Sequence, residues 1–279
     1  MKKIIVPIDY SVASKNALNY AMKIAPVLNL SIEVVYAYSG LFNVSEKFVI
    51  RAGMNKEEAL LYDMDYLINL GEGEETVAVL PAIKIEKRLL QGIPNIEIVK
   101  LSEEEDCAMI VMGTTGSHNA VGKFFGSTST EVARNANCPV ILVPKEAKFT
   151  GIKHILFSSN YESTDSKVIK GSMNWANNFK ANIHFVHIVE DGDGRAFDES
   201  RETIIDTIFE GKAPSVAFEI KNVFAHSVGD GLHNYIEEKN IDLLVMVAPK
   251  KNFLQNIFHK SRTKEMAYST KIPMVIYHN

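Results

Sequence analysis

Val111-Met-Gly-Thr-Thr-Gly-Ser-His-Asn-Ala-Val-Gly-Lys-Phe-Phe-Gly-Ser-Thr-Ser-Thr130 is the stretch on which the reading of this chain turns. It continues an apolar run, Cys107 to Met112, that is short and bounded enough to be a buried strand. Gly113 and Gly116 come next and, after nine further residues, Gly126 and Ser127. Beyond Ser127 the periodicity predicts an amphipathic helix, with Val132, Ala133 and Ala136 on one side and Glu131, Arg134 and Asn135 on the other. Strand, glycine loop, glycine with a hydroxyl, helix is an order suited to binding phosphate. Glycines let backbone N–H groups close on an anion. A helix start at Ser127–Thr130 adds unpaired N–H groups and the positive end of a dipole. Glycines alone can equally do no more than shape a strand-to-helix turn. The full spacing G-x2-G-x9-G-S is far more specific, and it matches neither a Walker A loop nor the G-x-G-x-x-G dinucleotide fingerprint.

Composition narrows the classes. With 279 residues the chain has room for about two domains. Its 46% hydrophobic and 23% charged residues are those of an ordinary globular protein and exclude disorder. A formal net charge of −4 offers no basic field for nucleic acid. The two cysteines, Cys107 in the core strand and Cys138 before Pro139, make no disulfide framework, fit a reducing compartment and read as packed thiols rather than nucleophiles. No stretch approaches the ~20 apolar residues of a membrane span, and the first apolar run breaks at Asp9, too early for a signal peptide. A cytoplasmic location, with neither membrane nor nucleic acid as partner, is the expectation.

Working outward from the glycine stretch, apolar runs predict strands at Ile4–Ile8, Ile32–Tyr38, Ile83–Leu89, Cys107–Met112 and Val140–Val143. Helices alternate with them: one capped by Ser11 and carrying Ala17, Leu18, Ala21, Met22 and Ala25 on one side, one through Leu60, Met64 and Leu67, and one from Asn95 to Glu103-Glu104-Glu105. Continuous rather than alternating apolar strands with helices between them imply a parallel, doubly wound α/β sheet. The chain then repeats itself. At an offset of 151, Ile155-Leu156-Phe157 answers Ile4-Ile5-Val6, and Tyr161 and Met173 answer Tyr10 and Met22. Later the offset becomes 134: Val245-Met246 over Val111-Met112, Ser261 over Ser127, Pro273 over Pro139. A unit duplicated once, with 17 residues lost between the second and third strands of the copy and a boundary near Lys145–Gly151, accounts for both offsets.

These features together resemble the universal stress protein family. The resemblance rests on the glycine signature, with Val-Met-Gly-Thr-Thr-Gly close to the family's usual wording, on Pro-Ile-Asp after the first strand, and on the Pro-flanked last strand. It covers nearly the whole chain as two tandem domains, 1–147 with the signature intact and 148–279 degenerate. It implies two doubly wound parallel-sheet domains of the adenine nucleotide α-hydrolase-like, Rossmann-like kind, paired through their last strands Val140–Val143 and Met274–Tyr277, with homo-oligomer formation left open. The implied ligand is ATP, with or without Mg2+, and no metal site of the protein's own. Carried over by position, Pro7 and Asp9 border the nucleoside and Ala37 touches adenine through its backbone. Met112, Gly113, Thr115, Gly116, Gly126, Ser127 and Thr128 wrap the ribose and phosphates.

Several residues keep two readings. Asp9 suits a helix cap as well as a ligand contact. His118 and Lys123 lie inside the loop, where each is either solvated or near a phosphate. In the second half Gly113 becomes Val247, Gly116 becomes Lys250, Gly126 becomes Lys260 and Asp9 becomes Asn160; only Ser127 survives, as Ser261. Side chains in place of three glycines obstruct close backbone approach, and Pro249 removes a donor. The lysines at 250, 251 and 260 are a solvated run or a weak anion site. His184 and His187, three apart on a strand, point to opposite faces and share no metal. The carboxylates Glu103–Asp106 read as solvated. The expectation is an ATP-binding regulatory or stress-response protein with one competent site and at most slow hydrolysis, since no general base or metal-binding carboxylate pair is evident. The rivals are a nucleotide-independent scaffold and an adenylating enzyme. The latter typically carries a glycine-rich Ser-Gly-Gly-x-Asp-Ser-like loop after its first strand, where this chain has Asp9-Tyr10-Ser11-Val12-Ala13-Ser14.

Overall fold

The computed structural model describes residues 1–38, 56–71, 83–115, 126–158, 166–190, 204–207, 215–248 and 271–278. The chain divides into two compact units, Met1–Glu146 and Ala147–Asn279. In the first, β1 (Lys3–Pro7), α1 (Val12–Leu28), β2 (Ser31–Tyr38), α2 (Lys56–Gly71), β3 (Ile85–Gln91), α3 (Pro94–Leu101), β4 (Cys107–Gly113), α4 (Ser127–Asn135) and β5 (Val140–Val143) alternate. The strands form a parallel sheet of order β3-β2-β1-β4-β5. Chain direction across the sheet reverses between β1 and β4, the topological switch point of an open α/β sheet. α1 packs against α2 and α3 against α4, as right-handed crossovers on either side of a switch point require. Ile4, Ile5, Val6, Ile110 and Val111 are fully buried, so β1 and β4 read as unbroken apolar runs because both their faces are covered.

Local signals explain most boundaries. Ser11 accepts a hydrogen bond from Ser14 N–H at 3.1 Å and caps α1 as expected. Asn29, left-handed at φ 53°, ends it. β3 begins two residues later than predicted and runs to Gln91, because its partner β2 extends to Tyr38 and pairs it with Gln91. Being an edge strand with several exposed positions, β3 is poorly marked by apolar content. α3 takes Pro94 at its first turn, where the missing N–H costs nothing. It stops at Leu101, with Glu103 to Glu105 in the turn that follows rather than in the helix.

The second unit comprises β6 (His154–Ser158), α5 (Ser166–Phe179), β7 (Asn182–Glu190), β8 (Phe218–Ala225), α6 (Val228–Lys239), β9 (Leu243–Ala248) and β10 (Met274–His278). Its parallel order is β10-β9-β6-β7-β8. The registers reproduce those of the first unit residue for residue. Lys3 pairs with Ser31 and His154 with Asn182; Ile5 pairs with Ile110 and Leu156 with Leu244; Ile110 pairs with Val140 and Leu244 with Met274. The left-handed caps Asn29 and Lys180 also correspond. The third strands differ slightly: Ile85 of β3 matches Phe218 of β8, one position short of the later offset, so one residue is regained before β9.

Candidate functional site

In the first unit the residues singled out from sequence gather at one edge of the sheet, the carboxyl ends of its parallel strands. Pro7 closes β1 and Asp9 lies two residues beyond; Ala37 is next to last in β2; Met112 and Gly113 end β4. Thr115 follows, and Gly126, Ser127 and Thr128 open α4. Asp9 and the β4 end flank the switch crevice, the place where open α/β sheets bind ligands. Gly116, His118 and Lys123 lie outside the described residues.

Two hydrogen bonds shut the glycine loop at its base. Gly126 N–H donates to the Thr114 carbonyl at 2.8 Å, and the buried Ser129 hydroxyl lies 2.9 Å from that carbonyl and 3.0 Å from the carbonyl of Gly126. Thr114 N–H in turn donates to Val143 of β5 at 3.1 Å. The start of α4 is thereby fixed against the end of β4. Gly126 is the N-cap of α4 and brings no side chain to cap it, and the first turn holds no acidic residue. The other helix starts differ. Ser11 caps α1, Ser227 caps α6 with Asp230 in its first turn, and α3 carries Glu97. α4 alone among these four leaves its dipole end without a cap or an acid, so its first N–H groups, at Ser127, Thr128 and Ser129, lack intrahelical acceptors and internal charge compensation.

Gly113 has a reason for being glycine that the sequence did not reveal. A Cβ there would meet the backbone carbonyl carbon of Ala13 at 2.7 Å, its Cβ at 2.8 Å and its oxygen at 2.9 Å. The first turn of α1 is laid directly on the end of β4, and only glycine permits that approach. Asp9 resolves into a turn residue: its Oδ1 accepts from Ser11 N–H at 3.0 Å, while its own N–H donates to Ser14 Oγ at 3.3 Å. The helix cap is Ser11, and Asp9 braces that cap from the β1 side.

Sequence reasoning missed an aromatic pair at this edge. Tyr10, between β1 and α1, adopts a left-handed backbone at φ 59°, uncommon for a bulky residue. Its ring meets that of Tyr36 with centroids 5.3 Å apart, and its hydroxyl donates to the Leu60 carbonyl at 3.3 Å. Burial, aided by the neighbouring Asp63 and Tyr36, raises the Tyr10 phenol; burial and Asp9 raise that of Tyr36. Both remain neutral hydrogen-bonding groups. The signal available was Tyr10 directly after Asp9, with Tyr161 at the matching place in the second half.

At the opposite edge, two of the carboxylates read as solvated, Glu104 and Asp106, are engaged in ion pairs. Lys3 Nζ lies 2.7 Å from Glu104, 3.1 Å from Glu33 and 3.2 Å from Asp106, and Arg88 lies 2.7 Å from Glu104. In the second unit the matching places hold His154 and His184. His184 Nδ1 is 2.6 Å from Glu219, which also accepts from the Tyr235 hydroxyl at 2.6 Å; His184 Nε2 is 3.3 Å from His154 Nδ1. Burial lowers the His184 pKa against the pull of Glu219. Burial works to raise Glu219, yet bonds from Tyr235, Lys221 and His184 outweigh it and push the carboxyl down to about 2. Among the described residues no group of three or more His, Cys, Asp or Glu side chains is placed to hold an ion. Nor is any helix among them long and apolar enough to cross a membrane.

At the carboxyl edge of the second unit, Val247 stands in the place of Gly113 and is 2% exposed. Asn160, Lys250, Lys260 and Ser261 lie outside the described residues.

A parallel α/β unit of order 3-2-1-4-5, with a glycine-hinged and uncapped helix start over its switch point, defines the doubly wound class that holds small ligands at the carboxyl edge of its sheet. Within that class the chain belongs to the universal stress protein family, whose family model matches residues 1–144. A universal stress protein of Methanocaldococcus jannaschii is 31% identical over 153 residues, covering 53% of this chain and 84% of its own length. One of Bacillus subtilis is 28% identical over 153 residues, covering 50% and 97% respectively. The crystal structure of a universal stress protein from Archaeoglobus fulgidus superposes with a TM-score of 0.72 over 99% of this chain and 98% of that one, at 17% identity, a likeness of fold.

Proposed function

We propose that the protein binds ATP at the carboxyl edge of its first unit and acts as a nucleotide-dependent regulator in a stress response, with one competent site per chain. The observation that carries this reading is the Gly126 N–H to Thr114 carbonyl bond. It holds the start of α4 against the end of β4, and no side chain caps that start to compete for the N–H groups of Ser127 and Thr128. In this reading Pro7, Asp9 and Ala37 border the nucleoside, with Tyr10 and Tyr36 beside them. Met112, Gly113, Thr115, Gly116, Gly126, Ser127 and Thr128 surround the ribose and phosphates, with Mg2+ carried by the nucleotide. Membership of the family and the intact signature support it. Hydrolysis on this reading is at most slow, because no side chain at the described edge is arranged as a general base.

The buried Val247 favours a different role for the second unit, that of a nucleotide-independent partner surface or structural half. The two halves, 1–147 and 148–279, are read as products of duplication, paired through their last strands in a cytoplasmic protein. Calorimetric titration with ATP tests the central reading. The expected stoichiometry is one site per chain, abolished by Gly116→Val and unchanged by Lys250→Ala; two equivalent sites, or none, contradict it. Mass spectrometry of protein purified without added nucleotide gives an independent check.

A further inference from the structure

The two cysteines of the chain, 31 positions apart in sequence, meet in the first unit. Cys107 opens β4 and Cys138 lies in the turn from α4 to β5, and their sulfurs are 3.5 Å apart. Both are nearly but not wholly buried, at 9% and 7% exposure. The repeat shows that packing does not require thiols there. The matching places in the second unit hold Ile241 and Ile272, so the fold asks only for apolar bulk. Two sulfurs in contact, in a chain with no other cysteine, are an arrangement with chemistry beyond filling space.

We propose that Cys107 and Cys138 form a reversible disulfide when the protein meets hydrogen peroxide, making the base of β4 a redox-modified site. Cys107 is the attacking sulfur. The Cys138 S–H against it pushes its thiol down from the ordinary value, overcoming burial, and the Lys3 ammonium helps from the facing position of β1. Glu104 and Asp106 act against that, and Lys3 is bound to both. The Cys138 thiol is pushed up by the same contact and by burial, so it holds its proton while Cys107 reacts. The Cys107 thiolate attacks the peroxide, its S–O bond forming as the O–O bond breaks, and the leaving hydroxide takes a proton to become water. Cys138 then attacks the Cys107 sulfenic sulfur, the S–S bond forms, the S–O bond breaks, and the Cys138 proton leaves with the hydroxyl as a second water. Two thiols are oxidised and one peroxide is reduced to two waters. Closing the pair from 3.5 Å to the ~2.05 Å of a disulfide brings the two sulfurs about 1.5 Å closer. Neither partner is exposed enough for large disulfide reagents, which is why hydrogen peroxide is the oxidant.

The test treats the native full-length protein with hydrogen peroxide, quenches it, and measures intact mass and thiol count after denaturation. The expected result is a mass lower by two hydrogens, no remaining alkylatable thiol, a cross-linked peptide pair containing Cys107 and Cys138, and full reversal by dithiothreitol. Cys138→Ser should instead trap a single oxygen on Cys107, detected with a sulfenic-acid probe, while Cys107→Ser should leave Cys138 unreactive. Wild-type protein that keeps two free thiols, gains oxygen without cross-linking, or forms a covalent dimer would overturn the proposal. The wild-type measurement depends on no variant, so poor folding of either serine form leaves it decisive.

Discussion

Gly113→Ala is the substitution that separates the two reasons for a glycine at the end of β4. If that glycine served only to let phosphate approach, alanine would weaken ligand binding and leave the apoprotein as stable as before, because the backbone there is not left-handed. The contact with α1 says otherwise. A methyl carbon would sit 2.7 Å from the Ala13 carbonyl carbon and 2.8 Å from its Cβ, against the ~3.5–4.0 Å that carbon pairs prefer. Relief requires moving one backbone segment from another by most of an ångström. Ser11 and Asp9 pin the α1 side, and the strand pairing of Gly113 with Val143 pins the other. Overpacking against an unyielding neighbour costs about 1–3 kcal/mol, or roughly 3–10 °C of melting temperature for a unit of this size. Urea and thermal unfolding of the apoprotein measure it directly. Ala13→Gly in the same chain removes the Cβ contact but not those with the backbone, so the double variant should recover part of the loss. An unchanged urea midpoint for Gly113→Ala would refute the packing argument, whatever happened to ATP binding.

Three further outcomes are expected. Ser129→Ala removes the buried hydroxyl that holds Thr114 and Gly126 together; it should cost about 1 kcal/mol and weaken ATP binding, and titration showing an unaltered affinity would speak against the hinge. Stability should fall with pH in two steps. The His184 pKa is lowered from its ordinary 6.5, so the unfolded chain takes up that proton first and the contribution of His184 fades as pH drops below that value. Glu219, held at about 2 against an ordinary 4.5, contributes fully above 4.5 and loses its share as pH falls toward 2. Being about one-third exposed, it contributes no more than about 1–2 kcal/mol. Urea melts across pH should lose the upper step in His184→Gln and the lower one in Glu219→Gln; a stability that is flat from neutral pH down to 3 would exclude both. Finally, if the proposed pairing of last strands holds, residues 1–144 alone should dimerise at micromolar concentration, and Ile141→Lys in the full chain should raise protease cleavage between 145 and 153 without loss of ATP binding. A monomeric fragment would contradict the pairing.

The framework was legible because it depends on runs and spacings. Continuous apolar strands, a serine before α1 and glycines around α4 each act locally, and the offsets between halves reappear as matching registers in every strand pair but that of the third strands. What stayed illegible depends on meetings across the fold. Glu104 and Asp106 looked solvated because nothing in their own neighbourhood shows that β1 brings Lys3 alongside. His184 looked like a stray strand histidine because Glu219 and Tyr235 reach it from β8 and α6. Cys107 and Cys138 looked like separate packed thiols, 31 residues apart. Gly113 was legible only as a ligand residue, and its contact with a helix 100 residues earlier in the chain was not.

That last case bears on how one scaffold can carry two fates. In the first unit, β4 ends in a glycine, α1 lies on the strand backbone, and Gly126 N–H ties the next helix to Thr114. In the second unit, β9 keeps the register of β4 but carries the buried Val247 at the position of Gly113 and runs one residue further, to Ala248. On the proposed reading, building an ATP site there would therefore take more than introducing the three signature glycines. Val247→Gly alone removes a buried branched side chain and leaves a cavity, a change that in cores costs about 2–5 kcal/mol when the larger aliphatic side chains are cut to alanine. It does so before any anion can approach. The single substitution should destabilise the second unit without creating a second ATP site. On the proposed reading, the buried Val247 would work against a nucleotide at that edge, and titration of Val247→Gly that revealed a second ATP equivalent would show the opposite.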